Sequence, residues 1–293
     1  MARERLQRSG AQPLVSKLRQ EQRSLLDLEG EGPFDYINSV GVLHHLDQPE
    51  AGLQALAGLL AEDGLLHLFL YADSGRWEIH RTQKALNLLG VGTGSEGLRL
   101  GRDLLQTLPE HNRLARHHRE RWAIDCAADA NFADMYLHPQ ETSYNLERLF
   151  AFIETAGLHF AGFSNPEVWD PARLLQGELL QRARALPQRE QWALVEQLDP
   201  DISHFEFFLS PQPVSPHPWT DAELSLAAAI PQPCLWGEPD PILDRNMQPL
   251  QLDAASAALL RAVAEQPGVP LGTLAEPALV RDLVDRQLLL LQR

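Results

Sequence analysis

The hydrophobic and polar positions of residues 24–72 switch between strand-like and helix-like periods. Residues 34–42 form a run rich in β-branched and aromatic side chains that ends near a glycine, which predicts a strand. Apolar residues over 49–61 recur at helical spacing behind an initiating proline. The near-continuous apolar run 65–71 is typical of a strand buried on both faces of a sheet. With a further short strand predicted at 24–28, the order is strand, strand, helix, strand, as in an α/β sheet.

The pattern changes after this sheet-forming segment. Residues 76–160 are mostly helical by pattern, with a glycine-rich break at 90–97. Further strands and helices are predicted downstream, at 158–164 (strand), 171–198 (helical), 204–209 (strand), 253–265, 271–275 and 277–286 (helices) and 288–292 (strand). We therefore predict four parts, namely a partial α/β domain (1–75), a helical lid or acceptor region (76–210), a proline-rich linker (211–251) and a small winged-helix-like module (252–293).

Charge and composition exclude several classes of function. The 293-residue chain has 25 Lys and Arg against 40 Asp and Glu, a formal charge of −15, which disfavours binding to nucleic acid phosphates or anionic membranes. Residues 211–293 contain five Arg against ten acidic residues, so the last module is predicted to contact protein rather than nucleic acid. No apolar run is long enough to cross a membrane. Cys126 and Cys234 fit no metal-binding spacing, and we expect a cytoplasmic protein.

The most informative stretch is residues 34–71, FDYINSVGVLHHLDQPEAGLQALAGLLAEDGLLHLFLY. It resembles the second half of a class I S-adenosylmethionine-dependent methyltransferase, in which an FD-x-I strand leads to a V-L-H-H-L turn, a helix, a glycine turn and an apolar strand. The matching residues are Phe34, Asp35, Ile37, Val42, Leu43, His44, His45, Leu46, Pro49, Leu56, Leu60, Gly64 and Leu68. Downstream, Tyr136 to Pro139 and Tyr144 resemble the lid of one bacterial branch of this family.

The resemblance implies a fold class and a cofactor. We expect an α/β fold with an incomplete Rossmann-like methyltransferase sheet, followed by a mostly helical region and a small winged-helix-like module. The cofactor would be S-adenosyl-L-methionine. The methyl acceptor would be a small molecule or a protein, and residues 76–160 would cover it.

The same resemblance assigns candidate cofactor contacts. Asp27 would accept a hydrogen bond from the adenine amino group, and Leu28 would place a backbone amide near the ring. Ser39, Val40 and Gly41 would lie at the carboxyl end of a strand, where ligands of open α/β sheets bind, followed by His44. Two alternatives stay open, because Asp27 is also typical of a turn or a helix cap, and Gly41 could simply form the turn.

Candidate catalytic and acceptor-binding residues flank this strand end. His44 or His45 could act as a general base because an imidazole titrates near neutral pH, although the pair could equally shape the turn. Adjacent histidines rarely share an ion and no third ligand is evident, so we predict no metal site. The resemblance places His138 and Tyr144 near the acceptor, with turn formation and core packing as the alternative.

One part of the family pattern is missing from the sequence. The strand, glycine-rich loop and acidic ribose-binding residue of the family would precede residue 24, where only 23 basic, polar residues are present. We therefore expect about 60–100 residues of the usual domain to be absent and a sheet edge to be open to a protein partner. The glycine-rich run 89–98 imitates the missing loop, but a helical pattern precedes it, so we predict a loop between helices.

These observations leave rival functions. The leading one is methyl transfer to an unidentified acceptor, and the alternative is a non-catalytic interaction protein or an inactive methyltransferase remnant. Residues 111–121 contain four Arg and three His and could bind an anionic acceptor, although a solvated helix face is the ordinary explanation.

Overall fold

The computed structural model describes residues 18–214, 218–230, 242–243 and 249–292. Contacts between residues divide the chain into two compact units, Met1–Ser215 and Pro216–Arg293. None of the helices in the described ranges combines the length and the apolar character that a bilayer crossing needs. The finer domain boundaries at 75/76 and 251/252 stay predictions.

A four-stranded sheet organises the first unit. Its strands are β1 (Phe34–Val40), β2 (Leu60–Tyr71), β3 (His159–Phe163) and β4 (His204–Ser210), arranged in the order β1-β2-β4-β3. β1 pairs with β2 in parallel, whereas β4 is antiparallel to both β2 and β3. Three strands therefore run in one direction, and β1 and β2 end at the same edge of the sheet, where ligands of α/β sheets bind.

The described helices of the first unit follow the predicted distribution. They are α1 (Pro49–Ala57), α2 (Trp77–Leu88), α3 (Gly94–Thr107), α4 (Arg113–His117), α5 (Asp129–Leu137), α6 (Leu146–Glu154), α7 (Gly177–Arg184) and α8 (Gln188–Leu198). The predicted helical character of 76–160 and 171–198 is confirmed.

The main core lies on one face of the sheet. Leu66, Leu68 and Leu70 of β2 are opposite Leu209, Phe207 and Phe205 of β4, and all six side chains are fully buried. Apolar residues of α1 and α6 belong to the same cluster. Burial of such a side chain stabilises the fold by about 1.5–3 kcal/mol, so this alternating pattern fixes the register of the strands.

β1 is the outermost strand of the described sheet, and its edge is apolar. Phe34, Tyr36 and Val40 are 42%, 55% and 50% exposed, and they share one face of the strand because strand side chains alternate. Among the described residues, no strand pairs with the outer side of β1, the edge that the sequence predicts to be open to a partner.

Two sequence predictions in the sheet region are wrong. Residues 24–28 form no strand but a single 3₁₀ turn, Leu25–Asp27, because the Ser24 hydroxyl accepts a hydrogen bond from the Leu26 N–H at 3.2 Å. Helix α1 ends at Ala57 rather than at residue 61, and β2 begins at Leu60. The strand starts early because Leu60 pairs with Phe34, ahead of an irregularity in the β1 register.

The glycine-rich run 89–98 joins helices α2 and α3, as predicted. No strand precedes it, so it lacks the strand–loop–helix context of a cofactor loop. A Cβ atom at Gly97 would lie 1.9 Å from the carbonyl oxygen of Gly92, so the glycine permits a close contact between helix and loop.

The second unit has its own small core. It contains α9 (Asp221–Leu226), β5 (Ala228–Ile230), β6 (Ile242–Leu243), β7 (Pro249–Leu250), α10 (Ala254–Glu265), α11 (Pro277–Asp285) and β8 (Leu290–Gln292). β5 pairs with β8 and β6 with β7, both in antiparallel fashion. The two long C-terminal helices are confirmed, and the winged-helix likeness stays a prediction. Cys234 and much of the proline-rich linker lie outside the described residues.

Candidate functional site

The turn that follows β1 builds the first part of the site. Gly41 has a φ of +70°, a conformation that other residues rarely adopt, and a Cβ atom placed there would have no neighbour within 4 Å. The chain then forms a 3₁₀ turn, Leu43–His45. Ser39 is buried at this strand end, and its Oγ has no hydrogen-bond partner among the described residues. The turn therefore offers an open backbone and one unsatisfied hydroxyl.

Gly52 of α1 connects this turn to the segment around Asp27. A Cβ atom on Gly52 would lie 2.4 Å from Leu46 Cδ1, 2.9 Å from Leu43 Cδ2 and 3.6 Å from Leu25 Cδ2. Both 3₁₀ turns thus pack on the same position of one helix. Asp27 ends the first turn with an exposed side chain, and Leu28 lines a cleft of about 250 Å³.

His44 is wholly buried, which separates it from its neighbour. Its ring stacks on Tyr71 with centroids 3.9 Å apart, and neither ring nitrogen has a hydrogen-bond partner in the part of the chain that the structure describes. Burial lowers the pKa of His44 to about 3, with a smaller contribution from His45. The ring is therefore neutral at physiological pH and inaccessible to an acceptor.

His45 is half-buried and meets His138, so the structure brings together two residues that the sequence proposed separately. Their ring centroids are 3.9 Å apart. The backbone of Gln140 contacts both rings, since its carbonyl oxygen is 3.0 Å from Nδ1 of His45 and its N–H donates to Nδ1 of His138 at 3.2 Å. These contacts give the two rings opposite tautomers, and Nε2 of His45 keeps a free lone pair.

Residues 138–144 run across the carboxyl ends of β1 and β2. The Thr142 N–H donates to the His44 carbonyl at 2.8 Å, and the Tyr144 N–H donates to the Tyr71 carbonyl at 2.9 Å. The carbonyl of Tyr144 in turn accepts from the Asp73 N–H at 2.8 Å. Backbone hydrogen bonds thus hold residues 138–144, called the lid below, over the end of the sheet.

A buried ion pair fixes the same segment. Arg76 donates from Nε and Nη2 to the two carboxylate oxygens of Glu141, at 2.9 and 2.8 Å, and the side chains are only 3% and 4% exposed. His80 Nε2 lies 3.0 Å from Glu141 Oε1. Burial alone would raise the pKa of Glu141, but the hydrogen bond from His80 and the charge of Arg76 outweigh it and lower the pKa to about 2. The pair stays charged.

Tyr144 and Tyr71 differ in what they contact. Tyr144 is buried beside Phe152, and its hydroxyl has no partner among the residues described, while burial raises its pKa. Tyr71 is held between the His44 ring and the Arg76 guanidinium, which lies 3.5 Å from the ring centroid. The structure therefore places Tyr144 in the core at the base of the lid.

Sequence reasoning missed Arg76, Glu141 and Asp134. Asp134 lies on α5, and one of its carboxylate oxygens falls within 4.8 Å of potential ligand nitrogens on His45 and His138. Separations of 65 residues between Arg76 and Glu141, and of 89 between His45 and Asp134, leave no local signal in a single sequence. Only the lid resemblance at Tyr136 to Pro139 pointed to this region.

The arginines of residues 111–121 are largely engaged with protein groups. Arg113 donates to Glu78 at 2.5 Å, Arg119 donates to the Glu110 carbonyl at 2.8 Å, and Arg121 pairs with Asp201 at 3.1 Å. An exposed surface with local ion pairs explains this segment without an anionic ligand.

A cavity of about 640 Å³ opens beyond the end of β2. Its lining includes Asp73, Trp77 and the buried carboxyl of Glu196. Burial raises the pKa of Glu196, and its Oε1 accepts a hydrogen bond from the Leu146 N–H at 2.9 Å. The carboxyl end of β2 thus has room for a ligand of moderate size.

Comparisons with known proteins agree with this architecture. Residues 1–66 match the family model described as a methyltransferase domain. An uncharacterised protein of Synechococcus sp., syc1184_c, is 43% identical over 310 aligned residues, which cover 99% of this chain and 73% of that protein.

Two solved structures share the fold. PKMT2 from Rickettsia typhi in complex with AdoHcy aligns with a TM-score of 0.61 and 17% identity, covering 96% of this chain. Another structure of PKMT2 from the same organism aligns with a TM-score of 0.58 and 17% identity, covering 90%. This chain spans 64% and 57% of those chains, less than two thirds of either.

Proposed function

Because the chain belongs to the class I S-adenosylmethionine-dependent methyltransferases, we propose that it transfers a methyl group to a nucleophilic atom of a small-molecule or protein acceptor. The family uses S-adenosyl-L-methionine, which supplies an electrophilic methyl group on a sulfonium centre. AdoHcy, bound in the related PKMT2 structure, is this cofactor without the methyl group. The observation that carries the proposal is the turn after β1, which presents an open backbone and a histidine at the ligand-binding edge of the sheet.

The residues around this turn fit the cofactor. Ser39 has an unsatisfied Oγ, Gly41 leaves space where another residue would carry a Cβ atom, and Val40 exposes an apolar side chain. Asp27 has an exposed carboxylate and packs through its own turn on the same helix. We propose that Asp27, Leu28, Ser39, Val40 and Gly41 contact the cofactor and that His44 supports the turn from below.

We propose His45 as the group that takes a proton from the acceptor. Methyl transfer to an N–H or O–H nucleophile releases one proton, and Nε2 of His45 has the lone pair to accept it. His44 is unsuited to this role because it is enclosed and its pKa is depressed to about 3. The rest of the catalysis is positioning, which the fixed segment 138–144 supplies.

The lid would orient the acceptor. His138 directly follows the last residue of α5 and lies beside His45. The 640 Å³ cavity beyond β2 provides space for an acceptor at the same edge of the sheet. We propose that His138 contacts the acceptor directly, whereas Tyr144 acts by packing beneath the segment that carries His138.

Photochemical labelling tests this placement without knowledge of the acceptor. Irradiation of the purified chain with methyl-labelled S-adenosylmethionine should attach the label to a peptide within residues 24–46, and excess AdoHcy should prevent it. A label found only elsewhere in the chain, or one that AdoHcy does not displace, would contradict the proposed site.

The apolar edge of β1 favours a second candidate function, that of a protein-interaction module. Phe34, Tyr36 and Val40 are exposed on β1, which pairs with β2 on one side only among the described strands, and we propose that a protein partner adds a strand on the other side. Asp35→Pro should remove a backbone donor of this edge and abolish association with the partner, because the neighbouring Phe34 N–H points the other way, to the Leu59 carbonyl at 2.7 Å. Association that survives this substitution would place the interface elsewhere. Capture of a partner together with failure of the labelling experiment would favour the non-catalytic function.

A further inference from the structure

Three potential metal ligands converge beside the turn after β1. The two half-buried rings of His45 and His138 and the exposed carboxylate of Asp134 each offer one ligand atom, and these atoms all lie within 4.8 Å of one another. His45 comes from the sheet side of the site, whereas Asp134 and His138 come from the end of α5, one turn apart. Because these ligands come from two separate elements, they can surround an ion from different sides.

A neighbouring backbone group orients His45 as metal sites require. The Nδ1 of His45 is occupied by the carbonyl oxygen of Gln140 at 3.0 Å, which leaves Nε2 as the free donor. Hydrogen bonds of this kind fix the tautomer and direction of a ligand before the ion arrives.

We propose that His45, Asp134 and His138 form a binding site for a divalent transition-metal ion of the zinc type. Two imidazoles and one carboxylate form a donor set that zinc accepts, and they leave a fourth position for water or a ligand. His138 must give up one contact on ligation, the hydrogen bond from the Gln140 N–H to its Nδ1. At 3.2 Å this is the longer of the two contacts that Gln140 makes with the rings.

Metal binding would exclude the proton transfer proposed above. Both use the same lone pair on Nε2 of His45, so a bound ion should block methyl transfer to any acceptor that needs a base. This consequence rests on the proposed function, but the binding site itself does not. Inhibition of methyl transfer by the metal ion therefore identifies His45 as the shared group only in a chain that both binds the ion and transfers methyl groups.

Titration with zinc tests the site directly. The chain, stripped with a chelator, is titrated with Zn²⁺ in competition with a chromophoric chelator, and Co²⁺ is added separately to record visible absorption bands of a four-coordinate site. We expect one tight equivalent, weakened by about tenfold or more in Asp134→Asn and in His138→Gln, since each removes one ligand. His111→Gln is the matched control, because His111 is exposed and lies outside the set.

The outcomes separate the two proposals. The metal site would be overturned if the parent chain binds no zinc, or if both ligand variants fold and still bind zinc as the parent does. This conclusion would hold whether or not the chain transfers methyl groups. Circular dichroism of each variant shows whether it is folded. Tight zinc binding by a chain that shows no affinity for S-adenosylmethionine would support the metal site and count against the proposed function.

Discussion

The two adjacent histidines after β1 have opposite environments, although the sequence gives them equal standing. His44 is enclosed and stacked on Tyr71, whereas His45 is half-buried and reaches His138. The difference arises because successive residues of a 3₁₀ turn point in different directions, one toward the sheet and one toward the lid. Only the tertiary structure shows which of the two rings is enclosed and which is accessible.

The buried neutral ring of His44 should make the protein less stable in acid. The pKa of His44 is lowered from 6.5 to about 3 by burial, so the unfolded chain binds more protons between these values and stability falls as pH drops below 6.5. At pH 5.5 the contribution of one such group is about 1.4 kcal/mol. We expect His44→Phe, which keeps the stacking on Tyr71, to reduce the loss of stability between pH 7.5 and pH 5.5 by about this amount.

Urea unfolding at both pH values measures this effect. His111→Phe serves as the control, since His111 is exposed and its replacement should leave the pH dependence as in the parent. An unchanged pH dependence in His44→Phe would show that His44 is not a buried neutral group.

The ion pair between Arg76 and Glu141 should be needed for the lid. Glu141→Gln leaves a buried guanidinium without its counter-charge, and we expect a cost of about 3–5 kcal/mol in the free energy of unfolding. The double variant Arg76→Met with Glu141→Met should recover much of this loss, because two apolar groups need no counter-charge. A cost below about 1 kcal/mol for Glu141→Gln would mean that the pair is solvated.

The sequence alone could not predict contacts in the site between residues that are far apart in the chain. The resemblance supplied His45 and His138, and the structure shows that they meet. Neither periodicity nor motif spacing could pair Arg76 with Glu141, because the contact depends on how α2 and the lid pack against the sheet. The expected absence of a third ligand near the histidines failed for the same reason.

At the scale of elements, helix α1 positions the site. The absence of a side chain at Gly52 lets both 3₁₀ turns pack closely on this helix. Gly52→Ala should crowd Leu43 and Leu46 and cost about 1–3 kcal/mol, against a gain in helix propensity of at most about 1 kcal/mol. Gly58→Ala at the end of the same helix is the matched control, because its Cβ would meet only carbonyl oxygens at 3.6 and 3.7 Å.

The comparison of these two variants by chemical denaturation isolates the packing effect. We expect Gly52→Ala to be less stable than Gly58→Ala. Equal stability would indicate that the leucine side chains move aside and that the turns are not held by close packing at this position.

Helices and strands with a strong hydrophobic periodicity were predictable from the sequence. Strand boundaries that depend on pairing with another strand were not. The strand at 34–40, helix α6 and the two long C-terminal helices follow from apolar spacing. The early start of β2 at Leu60 does not, since it depends on the pairing of Leu60 with Phe34, and the polar or small residues Ala61 to Gly64 lie in the irregular stretch before Leu65 pairs with Tyr36. The run at 24–28 was mistaken for a strand because three apolar residues also suit a turn packed on a helix.

For the whole molecule, charge and topology point to the same surface. A net charge of −15 disfavours anionic ligands over most of the chain, while the carboxyl ends of β1 and β2 gather histidines, a buried ion pair and an open glycine turn. The β1 edge adds an exposed apolar strand to this picture. The two proposed surfaces meet at Val40, which belongs both to the cofactor contacts and to the exposed edge, so a partner bound at β1 would lie next to the cofactor.

The most direct measurement is calorimetric titration of the chain with S-adenosylmethionine, comparing the parent with Gly41→Val and Gly90→Val. Both glycines have positive φ and open surroundings, so the two substitutions impose a similar backbone strain, but only Gly41 lies in the proposed cofactor turn. We expect one site of micromolar affinity, weakened by about tenfold or more, or 1.4 kcal/mol, in Gly41→Val and unchanged in Gly90→Val. No heat at millimolar cofactor from a folded chain, or equal binding by all three proteins, would contradict a cofactor site at the end of β1.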